Sequence, residues 1–143
     1  MKRIHVLLVE DNEGDILLTK DALMEGRLVE KITVIKNGED AVHFMLKQGQ
    51  FIGAETPDLV LLDINLPLKS GYEVLQIIKN HTDTQDIPII VLTTSSSTSD
   101  INNASREHAN SYITKPVDAD DFLRVVAAIE DFWLNLAVLP NTK

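Results

Sequence analysis

Cysteine is absent from the 143 residues of this chain. The absence excludes structural disulfides, thiolate catalysis, and zinc or iron–sulfur sites with cysteine ligands. A long apolar run is also missing, because no stretch approaches the roughly 18–20 apolar residues that span a membrane. The run Ile4–Val9 follows two basic residues but is too short for the apolar region of a signal peptide. We therefore expect a cytoplasmic protein with no membrane contact.

Positive charge is scarce, since 13 Lys and Arg oppose 22 Asp and Glu and the formal net charge is −9. Direct binding to nucleic acid needs a basic surface that neutralises phosphates, so we expect none here. The 44% of apolar residues and 24% of charged residues are ordinary for a soluble globular protein. A chain of this length buries enough surface to fold without a disulfide or metal. We predict that residues 1–143 form a single domain, with no room for a DNA-binding output domain.

Short apolar runs alternate with longer amphipathic stretches, which is typical of βα units. The predicted strands are 4–9, 31–36, 58–62, 87–93 and 111–114, and the predicted helices are 14–25, 38–48, 70–81, 98–108 and 118–139. Ser70 precedes Glu73 at the spacing of a capping box. Five such units predict an α/β fold with a doubly wound five-stranded parallel sheet in the flavodoxin-like order 2-1-3-4-5.

The last predicted helix, 118–139, is extended and has two apolar surfaces. The main stripe recurs at steps of three and four and includes Ile129. The second surface consists of Leu123, Ala127, Leu134 and Val138. It fits either a wide core stripe or a dimer or partner face, and the pattern leaves both open.

Polar side chains follow four of the predicted strands, and ligand sites of doubly wound sheets lie at this edge. These residues are Glu10 and Asp11 after the first strand, Asp63 after the third, Thr93 and Thr94 at the fourth, and Lys115 after the fifth, where Pro116 follows it. Three carboxylates at one edge are costly without a cation, and oxygen ligands in an open crevice favour Mg²⁺. An Asp carboxylate can also attack phosphoryl groups. The Lys115 ammonium and the Thr93 hydroxyl would help neutralise and position such a group.

Four stretches together resemble the response regulator receiver domain of two-component signalling, and the resemblance covers essentially the whole chain. They are VLLVEDN (6–12), DLVLLDINLPLKSGYEVL (58–75), IPIIVLTTS (87–95) and SYITKPVD (111–118). Position 10 departs from the common pattern, because receivers often have Asp where Glu10 stands. Position 94 departs as well, because a small residue is common where Thr94 stands.

The resemblance implies a role for each matching residue. Asp63 would be the phosphoacceptor. The ligands of Mg²⁺, for which Mn²⁺ can substitute, would be Glu10, Asp11, Asp63 and the Asn65 carbonyl. Thr93 would be the switch hydroxyl, Lys115 the phosphate contact and Tyr112 the switch aromatic, with Thr94 and Pro116 flanking the site. A sensor histidine kinase would donate the phosphoryl group. Phosphorylation would then change the surface formed by the fourth helix, the fifth strand and the last helix.

A narrower resemblance links the chain to the single-domain regulators of cyanobacterial and bacterial phytochromes. It rests on the opening VEDNEGD and the close KPVDADDFLRVVAAIEDFWL. The implied partner is a phytochrome kinase. The implied output is a protein–protein interaction, with a homodimer as one form of it.

Other functions use a similar nucleophile or fold. Aspartate-dependent phosphotransferases generally have a second Asp two residues after the nucleophile, where Asn65 cannot donate and recover a proton. A nucleotide or flavin binder would need a loop rich in Gly, Ser or Thr after the first strand. A phosphorylation-independent interaction module stays an alternative, although it would be expected to lose residues such as Asp63 or Lys115.

No pair of the four histidines has metal-ligand spacing, so we predict surface or packing roles for them. We therefore expect a signalling protein that catalyses only its own phosphorylation and dephosphorylation.

Overall fold

The computed structural model describes residues 3–26, 28–93, 111–114, 124 and 127–131. The elements are β1 (Ile4–Val9), α1 (Glu13–Glu25), β2 (Val29–Ile35), α2 (Gly38–Leu46), a short 3-10 helix (Gly49–Phe51), β3 (Leu59–Asp63), α3 (Gly71–Lys79), β4 (Ile89–Thr93) and β5 (Ser111–Thr114). Residues 124 and 127–131 are helical. The predicted helix 98–108 and the rest of the predicted helix 118–139 lie outside the described residues. The single domain over 1–143 stays a prediction.

The five strands form one parallel sheet in the order β2-β1-β3-β4-β5, which confirms the predicted fold class and topology. The register aligns Val9 with Leu62 and Asp63 with Leu92. All the carboxyl ends therefore meet at one edge, as the parallel arrangement requires.

Alternate residues of the strands face opposite sides of the sheet, and each side has its own core. On one side, Leu7, Leu62 and their neighbours pack against α2 and α3. On the other side, Leu8, Leu61 and their neighbours pack against α1 and Ile129. Because both faces are covered, the central strands are continuous apolar runs. The burial of Ile129 agrees with its predicted place on the main stripe of the last helix.

Several element boundaries differ from the predictions for local reasons. α2 ends at Leu46 rather than at 48, because Lys47 adopts a left-handed conformation with φ 58° and closes a Schellman motif. β4 begins at Ile89 rather than at 87. The carbonyl of Ile87 accepts a hydrogen bond from Lys79 Nζ at 2.7 Å instead of joining the sheet.

α3 begins with the predicted capping box. Ser70 Oγ accepts from the Glu73 backbone N–H at 3.3 Å, and Glu73 Oε1 accepts from the Ser70 N–H at 2.9 Å. Ser70 is the N-cap rather than the first helical residue.

We expect Ser70→Ala to lower the free energy of unfolding by about 1 kcal/mol, because the alanine leaves a helix N–H without its cap. Urea unfolding of the two proteins measures the difference, and unchanged stability would contradict this role of Ser70.

Within the described residues, no helix is long and apolar enough to cross a membrane. Of the predicted dimer or partner face, only Ala127 lies among the described residues, and it is exposed. Leu123, Leu134 and Val138 lie outside them. The face as a whole stays a prediction.

Candidate functional site

Three carboxylates meet at the carboxyl edge of the sheet. Glu10 and Asp11 directly follow β1, and Asp63 is the last residue of the neighbouring strand β3. One carboxylate oxygen from each of the three lies within 4.8 Å of the other two. The fold therefore brings together the acids that sequence analysis placed at this edge, although 53 positions separate Glu10 from Asp63.

The acidic site combines burial with an open side. Glu10 is 1% exposed and Asp63 is 5% exposed, whereas Asp11 is exposed to solvent. Glu10 Oε2 accepts a hydrogen bond from the Asn12 N–H at 3.1 Å, and Asp63 Oδ1 accepts one from the Asn65 N–H at 3.3 Å. Buried carboxylates are costly unless hydrogen bonds or cations stabilise them. The backbone around the site supplies part of that stabilisation.

The donor set fits a hard divalent cation. Carboxylate oxygens are the ligands that Mg²⁺ and Mn²⁺ prefer, and Mg²⁺ is commonly held by one or two carboxylates with further oxygen ligands. Within the part of the chain that the structure describes, Glu10, Asp11 and Asp63 are the only group of three His, Cys, Asp or Glu residues that could hold a metal. The backbone of Asn65 adjoins Asp63 through the hydrogen bond just described.

Asn12 is a site residue to which sequence analysis assigned no role. Its N–H donates to Glu10, and its side-chain oxygen accepts from the Asp15 N–H at 2.9 Å as the N-cap of α1. It thereby connects the start of α1 to the buried carboxylate. The pattern Asn-x-x-Asp directly before the predicted helix was the available signal, since Asn is a favoured N-cap.

Gly71 was also missed. Its N–H donates to the Ile64 carbonyl at 2.8 Å, and a Cβ at this position would lie 2.4 Å from the carbonyl oxygen of Asp63. Only glycine permits α3 to begin so close to the end of β3. No local pattern signals this role, because the contact depends on how the loop folds back.

The predicted switch residues are described only in part. Thr93 ends β4 one position beyond Leu92, the residue aligned with Asp63, and the Tyr112 backbone in β5 pairs with Val91. Neither side chain belongs to the described atoms. Thr94, Lys115 and Pro116 lie outside the described residues.

A polar cavity lies at the opposite edge of the sheet, where β1 and β2 begin. Its volume is about 360 Å³, and it is lined by Arg3, His5, Glu30, Lys31, Glu55, Thr56 and Asp58. His5 is 6% exposed, and its Nε2 shares a 2.8 Å hydrogen bond with Thr33 Oγ1. His5 therefore has the packing role predicted for the histidines.

His5 should affect the pH dependence of stability. Burial lowers its pKa below the ordinary value of 6.5; Lys31 also lowers it, while Glu55, Asp58 and the Thr56 backbone raise it. As pH falls through 6.5, the unfolded chain binds a proton that the folded protein does not. The free energy of unfolding then falls by up to about 1.4 kcal/mol per pH unit until the folded pKa is reached.

Above that range, the stability contribution of His5 is constant. His5→Gln should therefore flatten the loss of stability that sets in as the pH falls below 6.5, as measured by urea unfolding. An unchanged slope in His5→Gln would contradict the prediction.

Comparison with known proteins agrees with this architecture. The family described as the response regulator receiver domain matches residues 6–127. Response regulator Rcp1 of Synechocystis sp. is 38% identical over 135 residues, which cover 94% of this chain and 92% of Rcp1.

Two solved structures have nearly the same backbone. The phosphorylated cyanobacterial phytochrome response regulator RcpA superposes with a TM-score of 0.90 at 38% identity, covering 98% of this chain and 100% of RcpA. The Mn²⁺-bound form of Rcp1 superposes with a TM-score of 0.87 at 37% identity, covering 96% of this chain and 99% of Rcp1. With the family match spanning most of the chain and the acids gathered at the carboxyl edge of the sheet, the chain belongs to the response regulator receiver domain family.

Proposed function

We propose that this chain is a phosphoacceptor response regulator and that Asp63 receives a phosphoryl group from a phosphohistidine of a sensor kinase. The observation that carries the proposal is the carboxylate cluster around Asp63 at the carboxyl edge of the sheet. An aspartate carboxylate attacks phosphorus, and such transfer depends mainly on positioning and charge neutralisation. The site offers an acid in a fixed position beside two others.

The transfer is a displacement at phosphorus. An oxygen of Asp63 forms a bond to phosphorus while the bond between phosphorus and the histidine nitrogen breaks. The imidazole keeps the electron pair of that bond and takes up a proton. The product is an aspartyl phosphate, which water later hydrolyses back to the Asp63 carboxylate and inorganic phosphate.

The residues that would hold the divalent ion are Glu10, Asp11, Asp63 and the backbone carbonyl of Asn65. Mg²⁺, or Mn²⁺ in its place, would neutralise negative charge on the phosphoryl oxygens. The Mn²⁺ in the Rcp1 structure supports this choice. Glu10 and Asp63 are buried and held by backbone N–H groups, so the chain itself keeps these ligands oriented.

The proposed switch follows from the added charge. A phosphoryl group brings nearly two negative charges and three hydrogen-bond acceptors. In the proposed sequence of events, Thr93 and Lys115 contact the phosphoryl group and Tyr112 turns toward the space that Thr93 leaves. The signal would pass through the surface that includes β5 and the last helix, by protein–protein contact. The face with Leu123, Ala127, Leu134 and Val138 is a proposed homodimer or partner surface.

The proposed partner is a phytochrome-type histidine kinase, because RcpA is a phytochrome response regulator and superposes over almost the whole chain. The test is phosphotransfer from such a kinase, first autophosphorylated and freed of ATP, to the purified chain in the presence of Mg²⁺. We expect the label to move from the kinase to this chain, with acetyl phosphate giving the same product. No label on the chain from either donor would overturn the proposal and favour an interaction module.

A further inference from the structure

The loop between β3 and α3 is held closed at its base. The Gly71 N–H bonds to the Ile64 carbonyl at 2.8 Å, and the Leu66 N–H bonds to the same carbonyl at 3.1 Å. Inside this loop, the Asn65 N–H donates to Asp63 Oδ1. The position of the loop therefore sets where the Asn65 backbone lies relative to the phosphoacceptor.

The tip of the loop is a strained turn. The Lys69 N–H donates to the Pro67 carbonyl at 2.8 Å, and the residue between them, Leu68, has φ 70°. A branched side chain rarely adopts this left-handed region, because the backbone conformation is strained there. Leu68 is 74% exposed, so its own burial does not offset the strain. Contacts elsewhere in the fold must hold the turn.

The first residue of α2 supplies such a contact. The Gly38 N–H donates to the Pro67 carbonyl at 3.1 Å, so this carbonyl accepts two hydrogen bonds. A Cβ at Gly38 would lie 2.0 Å from the Lys69 carbonyl oxygen and 2.7 Å from Lys69 Cβ. The closest of these atoms belongs to the backbone, so rotation of a side chain could not relieve the overlap. The loop would have to move.

α2 is itself firmly placed. Asn37 caps the helix, because its side-chain oxygen accepts from the Asp40 N–H at 2.7 Å. Ala41 and Val42, in the next part of the helix, are buried in the core against β1 and β3. When α2 and the loop cannot both keep their positions, we therefore expect the exposed loop to yield.

We propose that Gly38 is a positioning residue for the carboxylate site, because its close contact with Pro67 and Lys69 fixes the loop that carries Asn65. The inference rests on the proposed function, in which the Asn65 carbonyl is a ligand of the divalent ion. Mg²⁺ demands near-ideal octahedral geometry, so a small displacement of one ligand weakens binding. Substitution of a residue that only orients a metal ligand typically lowers the affinity for the metal by ten- to a hundredfold.

The test compares Gly38→Ala with Gly53→Ala. A Cβ at Gly53 would meet no atom within 4 Å, and its φ is not left-handed, so its substitution controls for the glycine-to-alanine change itself. We expect calorimetric titration with Mg²⁺ to give a dissociation constant about tenfold or more higher for Gly38→Ala. Gly53→Ala should stay within about twofold of wild type. Equal affinities in the two variants would overturn the inference.

A second comparison separates positioning from loss of stability. Asn37→Ala removes the cap of the same helix without adding bulk against the loop. At similar losses in the free energy of unfolding, Gly38→Ala should weaken Mg²⁺ binding several-fold more than Asn37→Ala. The same affinity loss in both would show a purely structural role and overturn the inference.

If Gly38→Ala does not fold, the double variant Gly38→Ala/Leu68→Gly is compared with Leu68→Gly alone. Glycine at position 68 relieves the strained turn and lets the loop move away from the new methyl group. The double variant should then fold and still bind Mg²⁺ about tenfold more weakly than Leu68→Gly. Equal affinity would overturn the inference. Failure of the wild-type chain to bind Mg²⁺ would instead overturn the proposed function.

Discussion

Asp63→Asn is expected to abolish phosphorylation of the chain by acetyl phosphate, with a loss in rate of at least about a hundredfold. The amide has nearly the shape of the carboxylate, so the end of β3 should keep its packing. It has no anionic oxygen to attack phosphorus, and it removes one of the three carboxylates of the cluster. Intact-mass spectrometry after incubation with acetyl phosphate and Mg²⁺ measures the result directly.

Asp83→Asn is the matched control, because Asp83 is an exposed acid of the segment between α3 and β4. It should gain one phosphoryl group at the wild-type rate. A phosphoryl adduct that still forms on Asp63→Asn would place the acceptor elsewhere and contradict the assignment of Asp63 as the phosphoacceptor. An adduct in neither the wild type nor the control would argue against phosphoacceptor chemistry altogether.

Removal of divalent cations should have a comparably large effect. With EDTA in place of Mg²⁺, we expect phosphorylation of the wild-type chain to slow by at least about a hundredfold, because the carboxylate cluster then repels the anionic donor. In the presence of Mg²⁺, Asp11→Asn should show much of the same loss in the rate of phosphorylation. Asp11 is the exposed member of the cluster, so this substitution leaves the buried acids in place.

Thermal unfolding supplies a readout of the same site that does not depend on activity. Mg²⁺ at ten times its dissociation constant should stabilise the wild-type chain by about 1.4 kcal/mol, because the ion binds the folded state. Asp11→Asn should lose most of this gain, while Asp21→Asn, an exposed acid on α1, should keep it. Equal stabilisation of all three proteins by Mg²⁺ would contradict the metal assignment.

The fold could be predicted because its pattern is local and repeated. Continuous apolar runs such as Leu59–Leu62 indicate strands covered on both faces, and the stretches between them have helical spacing. The boundaries were less predictable. Lys47 ends α2 in a conformation that usually favours glycine, and Lys79 takes up a carbonyl that a longer β4 would have used.

The acidic site was predictable for a related reason. Strand ends are visible in the sequence, and a parallel sheet brings them to one edge, so Glu10, Asp11 and Asp63 could be placed together before their distances were known. Gly38 and Gly71 could not be assigned in the same way. Their roles depend on backbone groups that approach through the folding of loops.

The sequence by itself determined the order of the elements, the parallel sheet and the types of side chain available at its carboxyl edge, because hydrophobic periodicity and strand ends are properties of neighbouring residues. The tertiary structure decided the rest. Strand register brought three carboxylate oxygens within 4.8 Å of one another, and α2 packed closely enough on the loop after Asp63 that position 38 has no space for a Cβ. These are distances between atoms far apart in the chain, and only the packing of both sheet faces sets them.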